Sequence, residues 1–287
     1  VAPFRIQPLG QVRKSRYVNI LVYGKFGVGK TTIVGSAVDV PHMRDVLMIS
    51  AEGGEMSLEN NPRVRNYLGI DVIQVRDFVQ LNAVRDYLIA HCRFRDQNNE
   101  EGDDRLWALQ ERLFGPDYAK GNNAGERLRK YQTLLVDSLT EINEMCLAGL
   151  LGMHSGMNLT TEPPAAEFKE YKQNYTKMNM FIRMMRDLPL HVLMTAGASH
   201  EQDEQKRYLW MPTMTGQLRT QIQGIYDIVG FLTPIGLATE GAPASRRLFV
   251  QPLNGLFDAK CRIASCTKPF FDNPTMAVIM EEIGRGK

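Results

Sequence analysis

Short apolar runs alternate with amphipathic stretches along most of the chain. Residues 18–23, 45–50, 72–75, 133–138 and 191–196 are largely apolar segments that each read as a strand, the first of them buried. Residues 225–232 add a strand interrupted by Asp227 and Gly230. Residues 247–251 and 259–264 read as two late strands, a hairpin pair across Asn254-Gly255. Between these lie helical patterns. Residues 32–38 can open a helix, and 139–151 and 218–222 read as two more. In 78–94, Phe78, Leu81, Val84, Leu88 and His91 or Cys92 recur at helical spacing. In 165–187, Phe168, Tyr171, Tyr175, Met178, Ile182 and Met185 do the same, and the methionine-rich face reads as core. Strands followed by helices predict an α/β fold: a mostly parallel twisted sheet with helices on both faces and a late β-hairpin.

The polar stretches divide the chain. Residues 1–16, with Pro3, Pro8 and Gly10, predict an irregular arm. Residues 17–267 form the main domain. A probable insertion spans 96–131: a solvated acidic loop at 96–104, then two short helices around Gly115-Pro116. Residues 152–164 and 199–216 read as polar loops, 233–246 as a Gly/Pro-containing loop, and 268–287 as a tail with little signal.

The strongest chemical pattern follows the first strand. Gly24-Lys25-Phe26-Gly27-Val28-Gly29-Lys30-Thr31 has the spacing of a phosphate-binding loop, and Thr32 continues into the predicted helix. Glycines let such a loop turn its backbone N–H groups inward onto phosphate oxygens. Lys30 would supply a full charge at the outer phosphates, the helix start would add partial positive charge, and Thr31 could ligate Mg²⁺. The second strand ends at Ser50-Ala51-Glu52-Gly53-Gly54, so Glu52 could orient and deprotonate a water. The 133–138 strand ends in Asp137, an acid placed to hold Mg²⁺ through a water shell that Ser138 could support. After the 191–196 strand, Ser199 and His200 are candidates to sense the terminal phosphate. Tyr208 and Trp210 are candidates for stacking on nucleic-acid bases.

Composition narrows this little. The 287 residues carry 34 Lys and Arg against 32 Asp and Glu, a net charge of +2 that does not itself argue for nucleic acid. Cys92, Cys146, Cys261 and Cys266 lack metal-ligand spacing and read as cytoplasmic thiols. No apolar run approaches the ~20 residues of a membrane span, so no membrane partner is expected.

Taken in order, the P-loop, Ala51-Glu52-Gly53, Val136-Asp137-Ser138 and Ala259-Lys260-Cys261-Arg262-Ile263-Ala264 resemble the motifs of RecA-type recombinases. The whole looks most like the compact phage-encoded RecA-like ATPases of single-strand annealing and recombination. The resemblance covers roughly residues 17–265. It implies a DNA-stimulated ATPase using ATP and Mg²⁺, with Glu52 as catalytic glutamate and Asp137 as the metal-holding acid. Lys260 and Arg262 would reach into a neighbouring subunit's ATP in a ring or filament. The segments 152–164 and 199–216 stand where the family's DNA loops lie. Single-stranded DNA, further copies of the chain and a single-strand-binding protein are the implied partners, in the host cytoplasm. Where the recombinases often carry a sensor glutamine, this chain has Ser199 and His200. The P-loop also resembles the deviant form of partitioning ATPases, in which the lysine at the position of Lys25 crosses a dimer interface. A helicase or packaging motor shares the core motifs. So does a single-strand-binding module whose ATP only shapes the subunit interface.

Overall fold

The computed structural model describes residues 17–115, 128–153, 162, 164–202, 206, 208–236, 244–253 and 255–285. Five strands supply the parallel centre: β1 (Asn19–Gly24), β2 (Val46–Ser50), β3 (Ile70–Gln74), β4 (Thr133–Asp137) and β5 (His191–Ala196). Of these, β1, β2, β4 and β5 are buried along their whole length, as near-continuous apolar sequence requires when both faces of a sheet are covered. A hairpin of its own is made by β6 (Ala198–Gln202) and β7 (Tyr208–Pro212). The main sheet is completed by β8 (Ile228–Ile235), β9 (Ser245–Phe249), β10 (Lys260–Cys261) and β11 (Phe270–Asp272). Among the described residues it has nine strands in the order β11-β9-β8-β1-β5-β4-β2-β3, with β10 also on β8. The strands from β8 to β3 pair in parallel; β9, β10 and β11 add antiparallel edges.

One face of the sheet packs against α2 (Gln80–Arg95), α3 (Glu100–Phe114), α4 (Leu139–Leu150) and α5 (Phe168–Asp187). The other packs against α1 (Lys30–Gly35) and α7 (Met276–Glu282). A short α6 spans Leu218–Gln221. The methionine-rich face of α5 is core only in part: Met178 and Met185 are buried with Phe181 and Ile182, whereas Met184 is half-buried and Met180 is exposed.

Four expectations are corrected. The predicted hairpin partners do not pair with each other: β9 pairs with the C-terminal half of β8 and β10 with its start, so both lie along one side of that strand. The late hairpin is β8–β9, and β8 runs on through Pro234, which the sequence assigned to a loop. The acidic stretch 96–104 is helical from Glu100, because the Asn99 side chain caps the Gly102 N–H and Glu100, Glu101 and Asp103 occupy the first turn. Its expected second helix falls mostly at 116–127, outside the described residues. The 199–216 loop is largely the β6–β7 hairpin. The low-signal tail supplies β11 and α7, whose Met276, Ile279 and Met280 are buried in the core beside α1. Most of 152–164 and all of 1–16 lie outside the described residues.

Candidate functional site

The strand register brings the motifs to one edge. β1 delivers Gly24 at its C-terminal end, β2 delivers Ser50 and β4 delivers Asp137, with Ser50 opposite Asp137 across the pair. Gly27 and Gly29 have φ of 72° and 92°, a left-handed backbone that favours glycine, so the 24–31 loop can curl back over the start of α1. Inside it, buried Lys30 donates from Nζ to the carbonyls of Gly24 at 3.1 Å and Lys25 at 3.0 Å. Burial lowers the Lys30 pKa, and the charges of Glu52 and Asp137 oppose that shift. The ammonium is thus a desolvated cation facing two carboxylates, with room in its chemistry for an anion.

Asp137 is 1% exposed and is gripped from both sides. Thr31 Oγ1 donates to its Oδ2 at 2.8 Å, and Thr195 Oγ1, from the end of β5, donates to its Oδ1. Burial raises the Asp137 pKa; the Thr195 and Thr31 hydrogen bonds and Lys30 pull it down, while Glu52 pushes it up. The Asp137–Ser138 peptide is cis, and Ser138 caps α4 by accepting from the Glu141 N–H. That cap is its observed role. A hydroxyl and a carboxylate converging on one point fit Mg²⁺, which takes few protein ligands and completes its shell with water and phosphate oxygens. Among the described residues no cluster of three or more His, Cys, Asp or Glu could hold a metal alone.

Glu52 stands at the rim. Ala51 and Glu52 both donate backbone N–H to the Asp137 carbonyl, at 2.7 and 3.3 Å, which ties the turn after β2 to the turn after β4. Its carboxylate is exposed and close enough to Lys30, Asp137 and Glu141 to act on each electrostatically. The turn continues through Gly53, with φ 76°, and Gly54. A Cβ on Gly54 would lie 2.6 Å from Asp137 Oδ2 and 3.3 Å from Thr31 Oγ1. Glu55 then folds back, accepting from Ser50 Oγ and from Gln74 Nε2.

The remaining candidates lie elsewhere. His200 sits opposite Trp210 on the β6–β7 hairpin, its ring stacked 5.0 Å from the Trp210 ring and 5.5 Å from that of Tyr208. Trp210 in turn carries Lys25 Nζ 4.5 Å from its ring centroid, so Lys25 is held within its own subunit. Phe26, at the loop tip, is exposed. Lys260 pairs with Val229 and Arg262 N–H donates to the Asp227 carbonyl, beside Asn19 at the opposite end of β1 from Gly24. Arg262 thus lies five residues of strand, roughly 16 Å, from the level of Gly24, and Lys260, level with Leu21, three residues or roughly 10 Å from it. Arg262 Nη2 donates to the Gly224 carbonyl at 2.6 Å, and burial with the Arg262 charge lowers the Lys260 pKa. The structure brings Gly24–Thr32, Glu52 and Asp137 together, and keeps Lys260 and Arg262 away from the P-loop of the same chain.

Sequence reasoning missed Thr195 and Glu141 beside the P-loop, and the close approach of Gly54 to Thr31 and Asp137. Thr195 had a legible signal, a hydroxyl at the end of the strand beside β4.

A family model described as an AAA domain matches residues 16–260. No curated protein sequence matches the chain.

Proposed function

The chain belongs to the AAA-domain family and carries a P-loop ATPase-type domain; from that premise we propose that it binds and hydrolyses ATP with Mg²⁺ and acts on single-stranded DNA as a homo-oligomer. The observation that carries the ATPase reading is the Thr31–Asp137 hydrogen bond of 2.8 Å beside Lys30 and Glu52. Thr31 and Asp137 would hold Mg²⁺, which supplies charge neutralisation on the phosphates. Lys30 and the backbone N–H groups of 24–31 bind the phosphate tail. Glu52 lies at the rim, where it can orient a water and accept its proton.

The oligomer follows from a distance argument. Arg262 sits at the strand end away from its own P-loop, and Lys260 lies part-way along the strand within electrostatic reach of Asp227, which supports contact with a phosphate of another copy rather than their own. Charge supplied in that way accelerates phosphoryl transfer by on the order of 10³–10⁵ in the best cases. Single-stranded DNA is supported by the resemblance to recombination ATPases and by exposed Tyr208 and His200 on the β6–β7 hairpin. Base stacking on such rings contributes roughly 1–3 kcal/mol each. His200 belongs to that face in this reading as much as to phosphate sensing.

The test is ATP turnover with and without single-stranded DNA, read beside particle size. Stimulated turnover by an oligomer is expected; no turnover under either condition sinks the ATPase reading. Mixing Arg262→Ala with Lys30→Ala protomers should restore part of the activity that each lacks. The partitioning-type alternative requires Lys25 in a partner's site. Since Lys25 rests on Trp210 of its own chain, Lys25→Ala should change turnover far less than Lys30→Ala.

A further inference from the structure

We propose that Arg246 is a second phosphate ligand of the P-loop, supplied by the same subunit and backed by Arg63. The proposal rests on the ATP-binding reading above and adds a residue that no motif contains.

The hairpin register sets its position. Gly24 lies opposite Leu232 of β8, whereas Arg246 lies opposite Pro234, so the β8–β9 hairpin overshoots the P-loop strand by two residues. Its end reaches back over the loop. A Cβ on Gly29 would lie 2.0 Å from Arg246 Nη1 and 2.7 Å from its Cζ. A side chain there would have to displace the guanidinium, so Gly29 serves twice: it provides a φ of 92° and leaves space for Arg246.

Arg246 is also held in place. Its N–H donates to Asn273 Oδ1 at 3.0 Å and its carbonyl accepts from the Asn273 N–H at 2.7 Å. Arg63 Nη2 donates to the same Oδ1 at 3.3 Å. Two guanidinium-bearing residues therefore converge on one asparagine beside the phosphate-binding loop. Among the described residues neither has a carboxylate partner within ion-pair distance. Burial, and then the Arg63 charge, lowers the Arg246 pKa. The next residue shows the contrast: Arg247 is paired with Asp272 at 2.6 and 2.9 Å. One arginine of the adjacent pair closes the sheet edge. The other brings an uncompensated cation to Gly29, which is the electrostatic condition for capturing an anion.

The experiment compares ATP affinity of the full chain, by titration calorimetry with Mg²⁺, for wild type, Lys30→Ala, Arg246→Ala, Arg246→Lys and Arg63→Ala. Inorganic tripolyphosphate serves as a competitor that lacks base and sugar. Arg246→Ala should weaken both ATP and tripolyphosphate by on the order of ten- to a hundredfold. Arg246→Lys should recover part of that loss, and Arg63→Ala should cost less than Arg246→Ala. Thermal melts confirm that each variant folds; should Arg246→Ala fail to, the Arg246→Lys and Arg63→Ala titrations decide, and wild-type affinity in both overturns the proposal. If Lys30→Ala abolishes binding while Arg246→Ala binds as wild type does, the proposal is overturned and the ATP reading stands. If Arg246→Ala weakens ATP but not tripolyphosphate, the contact is to base or ribose and the phosphate assignment is wrong. Should Lys30→Ala bind ATP normally, the ATP reading itself fails.

Discussion

At the scale of single residues, the site is a balance between burial and charge. Asp137 and Lys30 are buried, and burial raises the pKa of the acid and lowers that of the amine, while their surroundings oppose it: two threonine hydroxyls and Lys30 on the acid, two carboxylates near the ammonium. Glu52 differs in being exposed, which suits the proposed exchange of a proton with a bound water. Glu52→Gln should therefore lower turnover by about 10²–10⁴-fold. ATP affinity should change little, and a large loss of affinity would move Glu52 into the binding machinery. Gly54 supports a second prediction. Gly54→Ala pushes a methyl against the Thr31–Asp137 pair, so Mg²⁺-dependent turnover should fall roughly 10²-fold, the usual cost of a small misplacement at a reacting centre. Nucleotide binding without Mg²⁺ should persist; equal loss with and without the metal would show that the methyl distorts the whole loop. Residues 24–32, 52 and 137 were readable from the chain because each sits at a strand end within its own motif. Arg246 and Gly54 were not, because what marks them is a neighbour distant in sequence.

At the scale of elements, the parallel centre was legible and the antiparallel edge was not. Strands β1, β2, β4 and β5 are apolar throughout, and burial on two faces leaves that imprint. The edge strands β9, β10 and β11 are short or half-buried, so their partners cannot be told from pattern alone. Gly230 illustrates the difficulty. In sequence it looks like an interruption, whereas in the structure it lies mid-strand, with Leu248 of β9 filling the space above it. A Cβ there would come within 2.5 Å of Leu248 Cδ1. Gly230→Ala should thus destabilise the β8–β9 hairpin through overpacking, by about 1–3 kcal/mol. A thermal melt checks this: a midpoint lowered by several degrees is expected, and an unchanged one would mean that Leu248 swings aside freely. The β6–β7 hairpin went unread for another reason. Its residues mix exposed His200 and Tyr208 with buried Leu209 and Met211, a pattern short enough to pass for a loop.

At the scale of the whole molecule, two histidines link stability to pH. Burial, and then the Arg95 charge, pushes the pKa of His91 from 6.5 down to about 3. Burial, with His42 and Arg285 nearby, pushes that of His191 down to about 3 as well. In the unfolded chain both take up protons near pH 6.5 that the folded chain refuses. The stability they support is therefore complete above 6.5 and is lost as the pH falls towards 3, at about 1.4 kcal/mol per unit for each residue. Melts between pH 7.5 and 5 should show a falling midpoint, and the His91→Gln/His191→Asn pair should show a shallower slope. A midpoint flat across that range would mean that neither ring is buried neutral. Among the described residues no helix is long and apolar enough to cross a membrane.

The perch of Lys25 on Trp210 has a consequence that reaches beyond the P-loop. The same indole residue donates its backbone N–H to Leu256, and Tyr23, the neighbour of Gly24, donates its hydroxyl to the carbonyls of both Trp210 and Asp258. Two residues after Asp258 the chain enters the strand that bears Lys260. A ligand that drew Lys25 off its aromatic seat would change the surroundings of Trp210, from which hydrogen bonds through Tyr23 and Asp258 lead on to Lys260. With only two tryptophans in the chain, the fluorescence of Trp210 should change on nucleotide binding, and an unchanged emission would mean that Lys25 stays on its ring.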